Sequence, residues 1–125
     1  MRWLVDGMNV IGARPDGWWK DRDQAMLRLV DMLERWAATS GADVTVVFEQ
    51  PPRPPINSTV VTVAHAAKAG PDSADHEIVR MLRDSAEPSA IRVVTSDRWL
   101  TERALTIGAA VEPALAFRAL IERRD

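Results

Sequence analysis

The stretch VDGMNVIG, residues 5–12, sets an aspartate and, three residues on, an asparagine inside an otherwise apolar run. Residues 2–10, apolar at Trp3, Leu4, Val5, Met8 and Val10, read as a buried first strand. A carboxylate in such a place is costly unless it is paired or bound to a cation. Asp6 therefore either caps an element at the strand's end or is held there for chemistry.

The segments that follow supply the setting. After the loop GARPDGWWK, Asp21 with Gln24 forms a capping box. Met26, Leu29, Val30, Leu33, Trp36 and Ala37 then recur at helical spacing up to Gly41. ADVTVVFEQ is a second strand, PPRPPINS an irregular loop and TVVTVA, residues 59–64, a third strand. HAAKAGPDS, residues 65–73, reads as a loop. Residues 74–84 form a short helix with Ile78, Val79 and Leu82 inward. IRVVTS is a fourth strand, and residues 98–107 form a helix closed by Gly108. AAVE is a short fifth strand. Pro113 opens a last helix with Phe117, Leu120 and Ile121 inward.

Strands this evenly apolar are covered on both faces. The order implies an α/β three-layer sandwich with a central, mainly parallel sheet of about five strands and helices on both faces. The chain has 125 residues, 46% of them apolar and 27% charged, which suits one domain over residues 1–125. It contains no cysteine, which excludes a disulfide, a thiolate nucleophile and a cysteine zinc site. No run approaches the roughly 20 apolar residues of a membrane span, and no signal-peptide pattern opens the chain. A cytoplasmic protein without membrane contact is expected. The formal net charge is −2, so nucleic acid could not be held by overall charge; contact with it needs a local arginine patch, a bound metal, or both.

In a parallel sheet, ligands bind outside the carboxyl ends of the strands. Four acidic residues fall at such ends: Asp6 late in strand one, Glu49 after strand two, Asp75 at the start of the helix after strand three, and Asp97 after strand four. Asp75 also lies on the buried stripe of its helix, one turn before Ile78 and Val79. Each has a structural use as a cap or turn residue. Gathered together, carboxylates repel and one must rise in pKa. A divalent cation removes that conflict, and all-oxygen ligands suit Mg²⁺ or Mn²⁺. Asn9 adds a neutral amide, either orienting a ligand or holding a turn.

VDGMNVIG, VVFE, SADHEIV and VVTSDR, in this order and spacing, resemble the NYN domains of the PIN-like ribonucleases, specifically their YacP-like branch. The resemblance covers nearly the whole chain. It implies a PIN-like fold, an acidic Mg²⁺ or Mn²⁺ site and hydrolysis of RNA phosphodiester bonds by an endoribonuclease. Carried over by position, it implies Asp6, Asn9, Asp75 and Asp97 as catalytic residues, with Asp6, Asp75, Asp97 and Glu49 as metal ligands. Two positions depart from the family's pattern: Glu49 stands where Asp is expected, and His76 follows Asp75 where a second acidic residue is common. The partner implied is single-stranded RNA, including ribosome-associated mRNA. Arg53, Arg98, Trp18, Trp19, Lys20 and His65 are the candidate substrate contacts: the arginines for phosphate, His65 for phosphate or for protonating the leaving group, and the tryptophans beside Lys20 for base stacking. The alternative is an RNA- or ribosome-binding module of the same fold with a degraded site. A haloacid-dehalogenase-type phosphatase would want a second Asp two residues after Asp6, where this chain has Met8.

Overall fold

The computed structural model describes residues 1–68, 70 and 73–123. In chain order the elements are β1 (Arg2–Asp6), α1 (Gly7–Gly12), a 3₁₀ turn (Trp18–Lys20), α2 (Arg22–Ser40), β2 (Asp43–Phe48), β3 (Thr62–His65), α3 (Ser73–Asp84), a second 3₁₀ turn (Pro88–Ala90), β4 (Ile91–Val94), α4 (Arg98–Ile107), β5 (Ala110–Glu112) and α5 (Ala114–Ile121). The five strands form one sheet in the order β3-β2-β1-β4-β5, and every pairing is parallel. The expected mainly parallel sheet of about five strands is thus present.

Side chains alternate across the sheet, as strand geometry dictates. Val5, Val46 and Val94 face a core closed by α1, α2 and α5, with Leu29, Leu33 and Phe117 at its centre. Leu4, Val47 and Val93 face a second core closed by α3 and α4, with Ile78, Leu82 and Leu100. These two cores make the three layers. Among the described residues no helix is long and apolar enough to cross a membrane.

Three sequence readings are corrected. The first strand does not run to residue 10. It ends at Asp6, and residues 7–12 turn into α1. An apolar run this short has no period that separates buried strand from buried helix. The turn depends on Gly7, where an added Cβ would lie 2.5 Å from the Phe48 ring. The third strand begins later, at Thr62. In α5, Leu120 is exposed, and the inward stripe is Ala114, Phe117, Arg118 and Ile121. Arg118 buries its stem while its guanidinium donates to the Val10 carbonyl at 3.2 Å and to Glu122 at 3.1 Å. Of the loop at residues 65–73, residues 69, 71 and 72 lie outside the described ones.

Candidate active site

β1 is the point where the chain reverses its direction of sheet growth, with β2 and β3 on one side and β4 and β5 on the other. The crevice between the carboxyl ends of β1 and β4 is therefore where a ligand site is expected. Asp6 is the last residue of β1. It shares the parity of Leu4, which directs it to the face covered by α3 and α4.

Asp6 is 4% exposed. Its Oδ2 accepts a hydrogen bond of 3.0 Å from the Thr95 hydroxyl. Burial and then the charge of Asp75 push its carboxyl from 3.8 up to about 7, with Asp97 adding to the rise; Thr95 and the Asn9 backbone N–H pull it partly down. One carboxyl in the cluster has thus taken the electrostatic conflict expected of gathered acids.

Asp75 lies in the first turn of α3 and is buried at 7% exposure. Asp97 is the N-cap of α4, where Oδ1 accepts from the Leu100 N–H at 2.8 Å. That cap uses one of its two oxygens. Glu49 follows β2 and is half-buried; its backbone carbonyl accepts from the Ser73 hydroxyl at 3.1 Å, tying the start of α3 to the end of β2.

Asn9 sits on α1 rather than on a strand. Its Oδ1 accepts from the Ser96 N–H at 2.8 Å, so its amide clamps the β4–α4 loop. Thr95, which the sequence reading did not single out, is 1% exposed. Its one hydroxyl donates to Asp6 and accepts from the Asp97 N–H at 3.1 Å. Ser96 extends the chain of neutral clamps, its Oγ accepting from Ala114 N–H at 2.9 Å. The signal available in the sequence was the pair of hydroxyl residues in VVTSDR, between a strand end and a cap.

The candidate substrate contacts are not gathered here. Trp18 packs on the core of α1 and α2, on the other face of the sheet from the Asp6 side chain, with the Arg22 guanidinium 5.2 Å from its ring centre. Trp19 and Lys20 are exposed beside it. Arg53 is exposed in a loop that folds back on α2, its backbone N–H donating to Asp23 at 3.2 Å. His65 ends the edge strand β3 with Nδ1 2.9 Å from the Ala66 carbonyl. Arg98 is almost fully exposed and pairs with Glu102 at 3.5 Å.

The donor set around Asp6 fits a hard divalent cation in kind, being all oxygen. The raised Asp6 carboxyl is the feature such a cation would relieve. Among the described residues no three His, Cys, Asp or Glu side chains are assembled as a finished chelate.

A family model described as YacP-like NYN domain matches residues 3–125. Among solved structures, the chain is similar to Rae1 (YacP) from Bacillus subtilis, at 26% identity with a TM-score of 0.76, over 99% of this chain and 76% of that chain. A tryptophan-to-leucine mutant of the same protein gives 27% identity and a TM-score of 0.75, over 98% of this chain and 77% of that chain. No curated protein matches.

Proposed function

We propose a function from one premise: the chain belongs to the YacP-like NYN domain family, a family of PIN-like ribonucleases. The reading is that of a Mg²⁺- or Mn²⁺-dependent endoribonuclease acting on single-stranded RNA in the cytoplasm, mRNA on the ribosome included. The observation that carries it is the meeting of three carboxylates at the β1–β4 crevice: buried Asp6 at the end of β1, buried Asp75 in the first turn of α3 and Asp97 at the start of α4, close enough that both charges raise the Asp6 carboxyl.

Asp6, Asp75 and Asp97 are the residues that would hold the cation, with Glu49 reaching in from the end of β2 on its longer arm. When bound, the cation supplies an activated water and offsets charge on the scissile phosphate. The protein's own residues do the positioning. Thr95 fixes one oxygen of Asp6 and the backbone of Asp97 with a single hydroxyl. Asn9 holds the β4–α4 loop against α1 without adding charge. The near-complete burial of Asp6 keeps water from screening its charge.

Cleavage of a single-stranded RNA in Mn²⁺, its loss in EDTA and its loss in Asp6→Asn test this reading. RNA binding by the wild type with no cleavage in any divalent ion would favour the alternative, a binding module with a degraded site. One observation supports that alternative: His76 is exposed and lies against Trp99 rather than joining the acids.

A further inference from the structure

Beside the acidic crevice, α3 and α4 form a groove that no sequence motif announced. His76 directly follows Asp75, and Trp99 lies two residues after Asp97, so both begin at the edge that carries the acids. The His76 and Trp99 rings lie 4.9 Å apart between centres, tilted by 57°. On Trp99 the Arg103 guanidinium stacks at 5.3 Å. Trp99 is 37% exposed, so part of its indole is open to solvent. Arg80, Arg83 and Asp84 continue the groove, which has a volume of about 340 Å³.

The charge of this groove is opposite to that of the chain. Three arginines and one aspartate line it, in a protein of net charge −2. Arg80 is engaged by Glu77 and Asp84, whereas Arg83 and Arg103 form no ion pair among the described residues. From His76 to Arg83 the helix rises about 10 Å, at roughly 1.5 Å per residue. That span suits one or two nucleotides of a single strand. A partly exposed indole beside guanidinium groups that form no ion pair, one of them lying over the ring, has the chemistry of a base-stacking platform with phosphate contacts.

We infer that Trp99, backed by His76 and Arg103, stacks a base of single-stranded RNA next to the scissile phosphate, and that Arg83 holds a phosphate further along the groove. This subsite rests on the ribonuclease reading but is separable from its chemistry, because binding can be measured without cleavage. Trp18 and Trp19, the tryptophans that the sequence suggested for stacking, lie on the other side of the sheet.

The test is fluorescence anisotropy of a 5′-labelled, ten-nucleotide single-stranded RNA in EDTA, repeated with an abasic nucleotide placed at each position in turn. Trp99→Leu keeps apolar bulk but removes the ring. It should weaken binding by about 5- to 150-fold, the range of one lost base stack, while Trp99→Phe keeps most of the affinity. One abasic position should weaken binding to the wild type and have no further effect on Trp99→Leu. Arg83→Ala should lower the slope of log affinity against log salt by about one. If wild type and Trp99→Leu bind and cut RNA equally, the subsite is overturned and the ribonuclease reading stands. If every abasic RNA weakens both proteins alike, stacking on Trp99 is overturned. A wild type that neither binds nor cuts RNA overturns both.

Discussion

Asp6→Asn is the sharpest perturbation of the site, because its effect on stability has a sign opposite to that of an ordinary salt-bridged carboxylate. The wild-type carboxyl ionises near 7 in the folded protein and near 4 in the unfolded chain. Between those values the folded state holds more protons than the unfolded one, so stability falls as pH rises. The full separation, from 3.8 to about 7, is worth about 4 kcal/mol. Of this, about 2–3 kcal/mol is lost between pH 5 and pH 8. Asparagine carries no such charge and can still accept the Thr95 hydrogen bond through its amide oxygen. In EDTA, the stability of Asp6→Asn relative to wild type should therefore rise by about 2–3 kcal/mol from pH 5 to pH 8, near 10 °C in melting temperature for a chain of this size. The assay is urea unfolding of both proteins at the two pH values, with far-UV circular dichroism as the probe. A difference that stays constant across this window would refute a raised Asp6 carboxyl and remove the electrostatic motive for a cation.

Three further outcomes follow from particular contacts. Gly7→Ala would place its Cβ 2.5 Å from the ring of the fully buried Phe48 and should lower the urea-derived stability by about 1–3 kcal/mol; an unchanged midpoint would mean that Phe48 moves aside freely. Thr95→Val removes both hydrogen bonds of one buried hydroxyl, so it should destabilise by about 1–3 kcal/mol. The same change should move the pH-dependent loss of stability to higher pH, since Thr95 holds the Asp6 carboxyl down. For Asp75→Asn, one of the charges that raises Asp6 is gone. The apo variant should melt as high as wild type or higher and lose the gain that Mn²⁺ gives the wild type, about 2.7 kcal/mol at a hundredfold excess over its dissociation constant; a clear drop in the apo melting point, with no Mn²⁺ effect in either protein, would make Asp75 a structural residue.

What could be read in the sequence was whatever repeats locally. β2 and β4 are near-continuous apolar runs, and α2 and α3 carry helical stripes with caps or dipole-matched acids, so their type follows from period alone. Asp6, Asp75 and Asp97 could be placed together because each ends or follows an element at the same sheet edge, and the mutual charge on Asp6 agrees with that placement. What could not be read has partners far along the chain. The residues of α1 lack a period, and the chain at Gly7 packs so closely on Phe48, 41 positions away, that a Cβ would clash there. Arg118 occupies the inward stripe because Val10, 108 positions away, offers it a carbonyl; hydropathy alone favours Leu120.

Thr95 and Asn9 extend the same point to the site itself. Both are neutral, and both act across the β1–β4 crevice, linking positions 89 and 87 residues apart. A cation in place of Thr95, whose side chain touches Asp6, would pair that carboxyl and hold it low. The clamps around Asp6 instead fix geometry without cancelling its charge. A proton relieves that conflict only up to about pH 7, so above that value the folded chain keeps an uncompensated buried carboxylate. Stability alone would be better served by an ion pair or an apolar residue there. On the proposed reading, the cation is the positive charge that would relieve this cost, and Asp6 is the carboxylate it would meet.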